Sequence, residues 1–231
     1  MLFNSLDFLL FFVLVWLLQR ILPHRPRNLF LLAASYLFYA SWDWRFLSLI
    51  WLSTIVDWHC GRQIFLSNDE RTRKLFVGLS VLVNLGILGF FKYAGFFVES
   101  ANSLLMSLGL NPEPWRLNIV LPVGISFYTF QTMSYSIDIY RGQVKPADRF
   151  ADFALFVAFF PQLVAGPIER AKNLLPKFAK KNLPSREMLA VGGWLIFWGL
   201  FKKAVIADNL APIVDQAFSG GNVGALEILI G

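Results

Sequence analysis

Polar side chains that could move a proton or stabilise negative charge lie inside long apolar runs of this sequence. Between Leu121 and Arg141, an advance of 100° per residue places a stripe of such groups on one face of a helix. A second polar set lies between Phe159 and Arg170, beside two prolines and a glycine. Carboxyl, phenol and amide groups can transfer protons or donate hydrogen bonds to a developing anion. The predicted cavity-lining candidates are Tyr128, Gln131, Ser134, Asp138, Gln162 and Glu169.

Residues with stronger catalytic chemistry are few. The sequence has two histidines, and we predict that His24 is a solvated residue of a basic loop. His59 is predicted to be an interfacial structural residue, because Asp57 lies two positions away on roughly the opposite helical face. Asp57 and Cys60 are three apart, but no further ligands accompany them, so no metal site is predicted. Ser126 is not in a Gly-x-Ser-x-Gly turn, and no catalytic residue is assigned.

Composition places these residues in a membrane protein. Of the 231 residues, 56% are hydrophobic and only 16% are charged, against about 25% charged in soluble domains. Mean hydropathy is +0.55. These values argue against a cytosolic enzyme, a disordered tail and a disulfide-stapled secreted module, and the single Cys60 excludes an intrachain disulfide. The net charge of +6 comes from basic residues between apolar runs. The predicted partner is therefore the lipid bilayer, and no nucleic-acid partner is predicted.

The apolar runs have the scale of membrane-spanning helices, which need about 20 mostly apolar residues. No internal repeat or long linker interrupts them, so a single transmembrane domain over residues 1–231 is predicted, of all-α class and polytopic. The predicted spans are Leu6 to Leu22, Asn28 to Ala40, Phe46 to Cys60, Leu75 to Phe97, Ile119 to Tyr140, a short broken span from Phe150 to Val164, Met188 to Ile206, and an apolar stretch opening at Ala225.

Basic residues indicate the orientation of these spans. They are concentrated in three connections, Arg20 to Arg27, Gly61 to Lys74 and Arg141 to Arg186. Cytoplasmic loops carry an excess of Lys and Arg, which puts these loops inside and the amino terminus outside. Lys202 and Lys203 break the pattern, so the last full span is predicted either to kink or not to cross.

The two polar segments each have a structural alternative. Intramembrane polar groups normally face the bundle interior or a water-filled cavity. Gln131 and Asp138 therefore line a cavity or join helices, and Asp138 can also pair with Arg141, three positions on. The smaller face of the same helix, with Thr129, Thr132 and Ser136, is predicted to pack against neighbouring helices. The Pro161–Pro167 segment is predicted to be a re-entrant element at a site, with a surface bend as the alternative.

These segments carry a resemblance to a known family. Residues 121–130 (LPVGISFYTF), 138–142 (DIYRG), 160–167 (FPQLVAGP) and 201–212 (FKKAVIADNLAP) are its most specific motifs, and residues 27–40 and 89–94 add to it. Together they resemble the membrane-bound O-acyltransferase (MBOAT) family, and most of all its bacterial alginate O-acetyltransferase branch. The resemblance covers essentially the whole chain in order.

The resemblance implies a fold and an activity. It implies a ring of tilted helices with re-entrant or broken segments around a reaction chamber, of which this chain is the amino-terminal part. It further implies a multi-pass protein of the bacterial inner membrane that passes an acetyl group from a cytoplasmic donor, acetyl-CoA or another acetyl thioester, towards an exopolysaccharide such as alginate. No bound cofactor is implied. A separate periplasmic acetyltransferase partner is expected to complete delivery.

One departure from the family pattern bears on activity. The family's reactive histidine lies on a later helix, beyond the stretch that this chain resembles. The final run, Gly224 to Gly231, is also far shorter than a membrane span, so we expect residues 1–231 alone to be catalytically incomplete. Two alternatives from other classes stay open: a non-enzymatic transporter or channel, and a scaffold subunit of a cell-envelope polysaccharide system.

Overall fold

The computed structural model describes residues 1, 3–109, 119–164, 166, 167, 169–180 and 184–218, and all regular structure in these residues is helical. The predicted all-α class is confirmed for these residues. The predicted final stretch from Ala225 lies outside them. The helices are α1 (Leu6–Ile21), α2 (His24–Asp43), α3 (Leu47–Leu66), α4 (Glu70–Ser107), α5 (Ile125–Tyr140), α6 (Phe150–Ala158), α7 (Phe160–Leu163), α8 (Ala171–Ala179), α9 (Arg186–Phe201) and α10 (Asp208–Phe218).

Two stretches of described helix are long and apolar enough to cross a membrane, Glu70–Ser107 and Arg186–Gln216. The predicted ring of spans stays a prediction. The helix predicted over Ile119–Tyr140 is shorter than expected, because Gly124 adopts a left-handed φ of 74° and helix α5 begins only at Ile125. Helix α4 extends well beyond both ends of the predicted Leu75–Phe97 span, because polar residues such as Glu70 and Ser107 continue its hydrogen bonding outside the apolar stretch.

The chain divides into two compact units. One comprises Leu18–Lys181 and includes helices α2 to α8. The other combines Met1–Leu17 with Asn182–Gly231, and its described helices are most of α1 together with α9 and α10.

In the second of these units, α9 continues without interruption through a π-helical turn, Lys202–Ala207, into α10. The Lys203 ammonium pairs with the Asp208 carboxylate across this turn. The Asn209 side chain donates to the Val205 carbonyl oxygen at 2.7 Å. Single π-helical turns of this kind distort an α-helix locally. Of the two alternatives predicted at Lys202 and Lys203, this distortion agrees with a kinked helix.

In the Leu18–Lys181 unit, helices α3, α4 and α5 pack against one another, and α6 packs against α2, α3, α5 and α8. The side chains from Phe153 to Ala158 are all buried, on every face of α6. A helix that is apolar all round belongs in an interior. The Tyr135 and Phe153 rings lie 4.3 Å apart, and the Trp58 ring covers Phe153 from α3. The central turns of the short broken span, residues 153–158, are therefore enclosed by protein.

The three basic connections meet at one end of this unit. Arg73, at the start of α4, donates to the Tyr140 carbonyl oxygen at 2.6 Å. Asn28, at the start of α2, donates to Asp152 Oδ1 at 2.8 Å and to the Phe178 carbonyl oxygen at 2.9 Å. The opposite end contains the contact of Tyr39 Oη with the Val123 carbonyl oxygen. This arrangement agrees with the prediction that the basic loops share one side, and the membrane orientation stays a prediction.

Candidate functional site

Helix α6 is broken at Phe159, and the break is lined by polar groups from two other helices. Phe159 has φ −54° and ψ 108°, outside the helical region. The following Pro161 has no N–H, which removes one donor from the next turn. Backbone groups at such a break need partners when protein encloses them. Ser35 of α2 and Gln131 of α5 provide these partners.

Ser35 and Gln131 bond to backbone groups on either side of the break. The Phe160 N–H donates to Ser35 Oγ at 3.2 Å, and Ser35 Oγ donates to the Leu31 carbonyl oxygen at 2.7 Å. Gln131 Nε2 donates to the Phe156 carbonyl oxygen at 2.6 Å. All of these groups are buried. Ser35 lies on the same buried face of α2 as Asn28 and Tyr39, and it is not among the site residues predicted from the sequence.

Gln162 connects the break to the turn that follows it. Its Nε2 donates to Gln131 Oε1 and to the Pro167 carbonyl oxygen, both at 3.2 Å. Gly166 packs so closely against Gln162 that an added Cβ would lie 2.8 Å from the Gln162 Cα. Gly124 makes a similar approach, with an added Cβ 2.6 Å from the Leu163 carbonyl oxygen. Gln131 and Gln162, both predicted site residues, are thus in direct contact.

The other predicted site residues do not join this contact. Tyr128 is fully buried, and its hydroxyl has no hydrogen-bond partner among the described residues. Ser134 is half-buried and donates to the Gln131 carbonyl oxygen of its own helix. Glu169 is half-buried and accepts a long hydrogen bond of 3.4 Å from Asn173.

Asp138 is only 3% exposed, and its Oδ2 has no partner in the part of the chain that the structure describes. The alternative pairing with Arg141 is not formed: Arg141 is exposed, and no ion pair joins the two described side chains. The reason is local, because the chain leaves the helix at Arg141 and the following Gly142 has φ 71°.

The smaller face of α5 packs on a buried polar cluster that the sequence analysis did not assemble. Asp57 of α3 accepts hydrogen bonds from Ser80 and from Asn84 Nδ2, the latter at 2.7 Å, both on α4. Ser136 Oγ of α5 donates to Asp57 Oδ1 at 3.3 Å. Thr132 Oγ1 donates to Asn84 Oδ1 at 3.1 Å. The geometry agrees with the packing role predicted for Thr132 and Ser136, and it makes Asp57 the group that joins the three helices.

A signal for this cluster was present in the sequence. Ser80 and Asn84 are four apart inside an apolar run, so they lie on one face of α4. Asp57 is a lone carboxylate at membrane depth, a position that normally has a partner inside the bundle. The missing information was which helices are neighbours.

Neither histidine is placed as a base. His59 is exposed and its ring contacts Phe76, while the Asp57 carboxylate bonds to other helices. The prediction that His24 is solvated is wrong: it is half-buried, and its Nε2 donates to the Phe178 carbonyl oxygen at 2.6 Å. The cause is the end of α8, which lies against the start of α2 and offers a backbone acceptor that has no partner within its own helix. Within the described ranges, no group of three or more His, Cys, Asp or Glu side chains could hold a metal ion.

Charged groups at the two ends of the unit have local partners. Hydrogen bonds from the Thr72 side chain and backbone and the Arg71 backbone lower the pKa of Asp69, which caps α4. At the other end, the Arg45 side chain lowers the pKa of Asp43 by hydrogen bonding to its carboxylate. These exposed groups fix helix ends rather than line the break.

Comparison with known proteins identifies the family. The chain is 41% identical over 221 residues, 95% of its length, to "Probable alginate O-acetylase AlgI" of Azotobacter vinelandii. It has the same identity and coverage with the protein of that name from Pseudomonas aeruginosa. The chain is a homologue of the alginate O-acetylases. It is also 34% identical over 217 residues to "Peptidoglycan O-acetyltransferase" of Helicobacter pylori.

The resemblance to the bacterial alginate O-acetyltransferases, stated above from motifs, is thus confirmed over 95% of the chain. The chain spans somewhat under half the length of these curated relatives, 44%, 42% and 40% respectively. No family model matches the chain, and no solved structure matches it significantly.

Proposed function

We propose that this chain forms part of a membrane-embedded O-acetyltransferase that acts on a cell-envelope polysaccharide. The identity of 41% with an alginate O-acetylase over 95% of the chain carries this proposal. The proposed reaction moves an acetyl group from a cytoplasmic donor, acetyl-CoA or another acetyl thioester, to a hydroxyl group on the other side of the membrane. A periplasmic acetyltransferase partner is proposed to complete delivery to the polymer.

The architecture supports a site inside the membrane. Two described stretches of helix are long and apolar enough to cross, and residues 153–158 of the broken helix are buried among other helices. Irregular backbone at membrane depth is tolerated where it is buried in protein or lines a cavity. The proposed location is the bacterial inner membrane, with several spans and the amino terminus outside.

The proposed reactive group is a histidine outside residues 1–231. This follows from the family resemblance, in which the histidine lies on a later helix. It agrees with the surroundings of the two histidines here, since His59 is exposed and His24 donates to a backbone carbonyl. We therefore propose that Tyr128, Gln131, Asp138 and Gln162 contribute to the wall of the chamber and not to the covalent chemistry.

Two acceptor polysaccharides are candidates. The alginate O-acetylases favour an exopolysaccharide such as alginate, and the relative from Helicobacter pylori favours peptidoglycan as the second candidate. The test is disruption of the coding sequence in the bacterium that carries it, followed by measurement of base-labile acetate on each purified polymer. Loss of acetate from the exopolysaccharide alone supports the first acceptor, and loss from peptidoglycan alone supports the second. Unchanged acetate on both polymers contradicts the proposal.

A further inference from the structure

The break in α6 separates several backbone hydrogen-bonding pairs, and in one of them each partner is taken up by a side chain. In a continuous helix the Phe160 N–H would donate to the Phe156 carbonyl oxygen, four residues earlier. Here that donor goes to Ser35 Oγ and that acceptor takes Gln131 Nε2. Both backbone groups belong to buried residues, where an unpaired polar group is costly. The two side chains therefore replace one lost backbone hydrogen bond from opposite sides.

The chemistry of each side chain fits this position. The Ser35 hydroxyl donates to Leu31 of its own helix, which leaves oxygen lone pairs to accept from Phe160. A hydroxyl can do both at once. The Gln131 amide donates with its nitrogen to Phe156 and accepts with its oxygen from Gln162. Both ends of the Gln131 amide are thus engaged by protein.

Gln162 extends the connection past the break. Its Nε2 also donates to the Pro167 carbonyl oxygen, and the Gly166 N–H donates back to the Gln162 carbonyl oxygen at 2.9 Å. A displacement of the Gln131 amide would therefore disturb hydrogen bonds both at the end of α6 and at the turn before Pro167.

We infer that Ser35 and Gln131 are positioning residues, which fix the Pro161–Pro167 segment in the acetyl-transfer site by pairing the Phe160 N–H and the Phe156 carbonyl oxygen at the break. This inference rests on the proposed function. It assigns Gln131 a role that acts through the segment instead of through contact with the acetyl group. Misplacement of a reacting group by about 1 Å can reduce a rate about 10²-fold, so loss of either bond is expected to lower kcat more than it raises KM.

The first test uses substitutions that keep volume and remove one bond. Ser35→Ala removes the acceptor for Phe160, and Gln131→Met removes the donor to Phe156. Acetyl transfer is assayed in membranes of the disrupted strain, complemented with the intact coding sequence that bears each change. Each variant should reach the membrane at near wild-type level. Its kcat should be about one tenth of the wild-type value or smaller, by the same positional argument. Thr54→Val is the matched control, because the buried Thr54 hydroxyl bonds only within its own helix, to the Ile50 carbonyl oxygen at 2.6 Å.

The second test is the pH profile of Gln131→Glu. An ionised Glu keeps the acceptor for Gln162 but has no donor for the Phe156 carbonyl oxygen, whereas a protonated Glu has both. Relative to wild type, this variant should be weakly active at about pH 8 and should recover as the pH is lowered towards about 5, where a buried carboxyl becomes neutral. Gln131→Met, which cannot recover a donor, should show no such recovery. Residues that only support folding would not produce this difference.

The outcomes separate this inference from the proposed function. If wild-type membranes transfer no acetyl group, the proposed function fails. If wild type and Thr54→Val are active and Ser35→Ala, Gln131→Met and Gln131→Glu match them in kcat and in pH profile, the positioning role is contradicted. If the variants lose membrane level in proportion to activity and Gln131→Glu does not recover at low pH, the two side chains have a folding role only, which also overturns the inference.

Discussion

Asp57 is the residue through which three helices share hydrogen bonds. Its carboxylate accepts from Ser80, Asn84 and Ser136, which lie on two other helices. A side chain from each of α3, α4 and α5 therefore depends on one buried group. Its position two residues from His59 invites a catalytic interpretation, and the structure gives it a packing role instead.

We predict that Asp57→Leu destabilises the protein strongly. The substitution leaves the donors of Asn84, Ser80 and Ser136 without their acceptor, at about 1–3 kcal/mol for each buried group left unpaired. Thermal unfolding can be followed with a thiol-reactive dye, because Cys60 is the only cysteine and is buried. Thr54→Val, on the same helix, should shift the midpoint far less, since its hydroxyl bonds within the helix. Equal shifts for the two variants would contradict the role given to Asp57.

For single residues, the sequence predicted which polar side chains are buried better than it predicted their hydrogen-bond partners. The α5 stripe and the Thr132 and Ser136 face follow from helical periodicity alone, and their burial agrees with it. Ser35 and the bond of His24 to Phe178 could not be found this way. Both depend on contacts between residues more than 120 positions apart.

The broken helix is the element that the sequence described most directly. Pro161, Gly166 and Pro167 predict a break within this segment, and the structure has it at Phe159. What the prolines cannot indicate is how the freed backbone groups are paired. Glycines at close approaches supply part of that answer, and Gly124 is the clearest case.

We predict that Gly124→Ala disrupts the approach of α5 to α7. The new Cβ would lie 2.6 Å from the Leu163 carbonyl oxygen, and Gly124 has φ 74°. A left-handed conformation costs about 1–2 kcal/mol for a residue with a Cβ, and the overlap with backbone adds to it. Gly86→Ala is the control, because that glycine lies in α4 with nothing within 4 Å of an added Cβ. The Cys60 assay should show a lower midpoint for the first variant and an unchanged or higher one for the second.

The start of α4 makes a pH-dependent prediction. Asp69 accepts from the Arg71 and Thr72 backbone N–H groups, and hydrogen bonding lowers its pKa. A carboxylate with a lowered native pKa contributes stability that is present above the unfolded-state pKa, about 3.9, and is lost as the pH falls through the native pKa. Asp69→Ala should therefore lower the unfolding midpoint at pH 7 and differ little from wild type at the acid end. A difference that stays constant with pH would contradict the capping role.

Considered as a whole, the molecule agrees with the sequence in class and in the grouping of its loops. Low charge and long apolar runs predict helices, and all regular structure in the described ranges is helical. The helix ends that flank the three basic connections are joined by hydrogen bonds at one end of the Leu18–Lys181 unit. Hydropathy could not indicate that α6 is enclosed by other helices, because an enclosed helix and a lipid-facing one have the same composition.

We predict that this basic end faces the cytoplasm. On a Cys60→Ser background, single cysteines at Asn68 and Lys180, both exposed at the basic end, should resist an impermeant thiol reagent in intact cells. A cysteine at Arg45, exposed at the opposite end of α3, should react. All three should react after the membrane is permeabilised. Labelling of Asn68→Cys but not Arg45→Cys in intact cells would reverse the orientation.

The most direct test of the central claim is acetyl transfer across a membrane. Right-side-out vesicles from the encoding bacterium are loaded with labelled acetyl-CoA, and de-acetylated exopolysaccharide and periplasmic extract are supplied outside. We expect base-labile label on the external polymer with wild-type vesicles, and none with vesicles from the disrupted strain. Equal labelling by both kinds of vesicle, or no labelling by either while the native polymer carries acetate, would contradict the central claim.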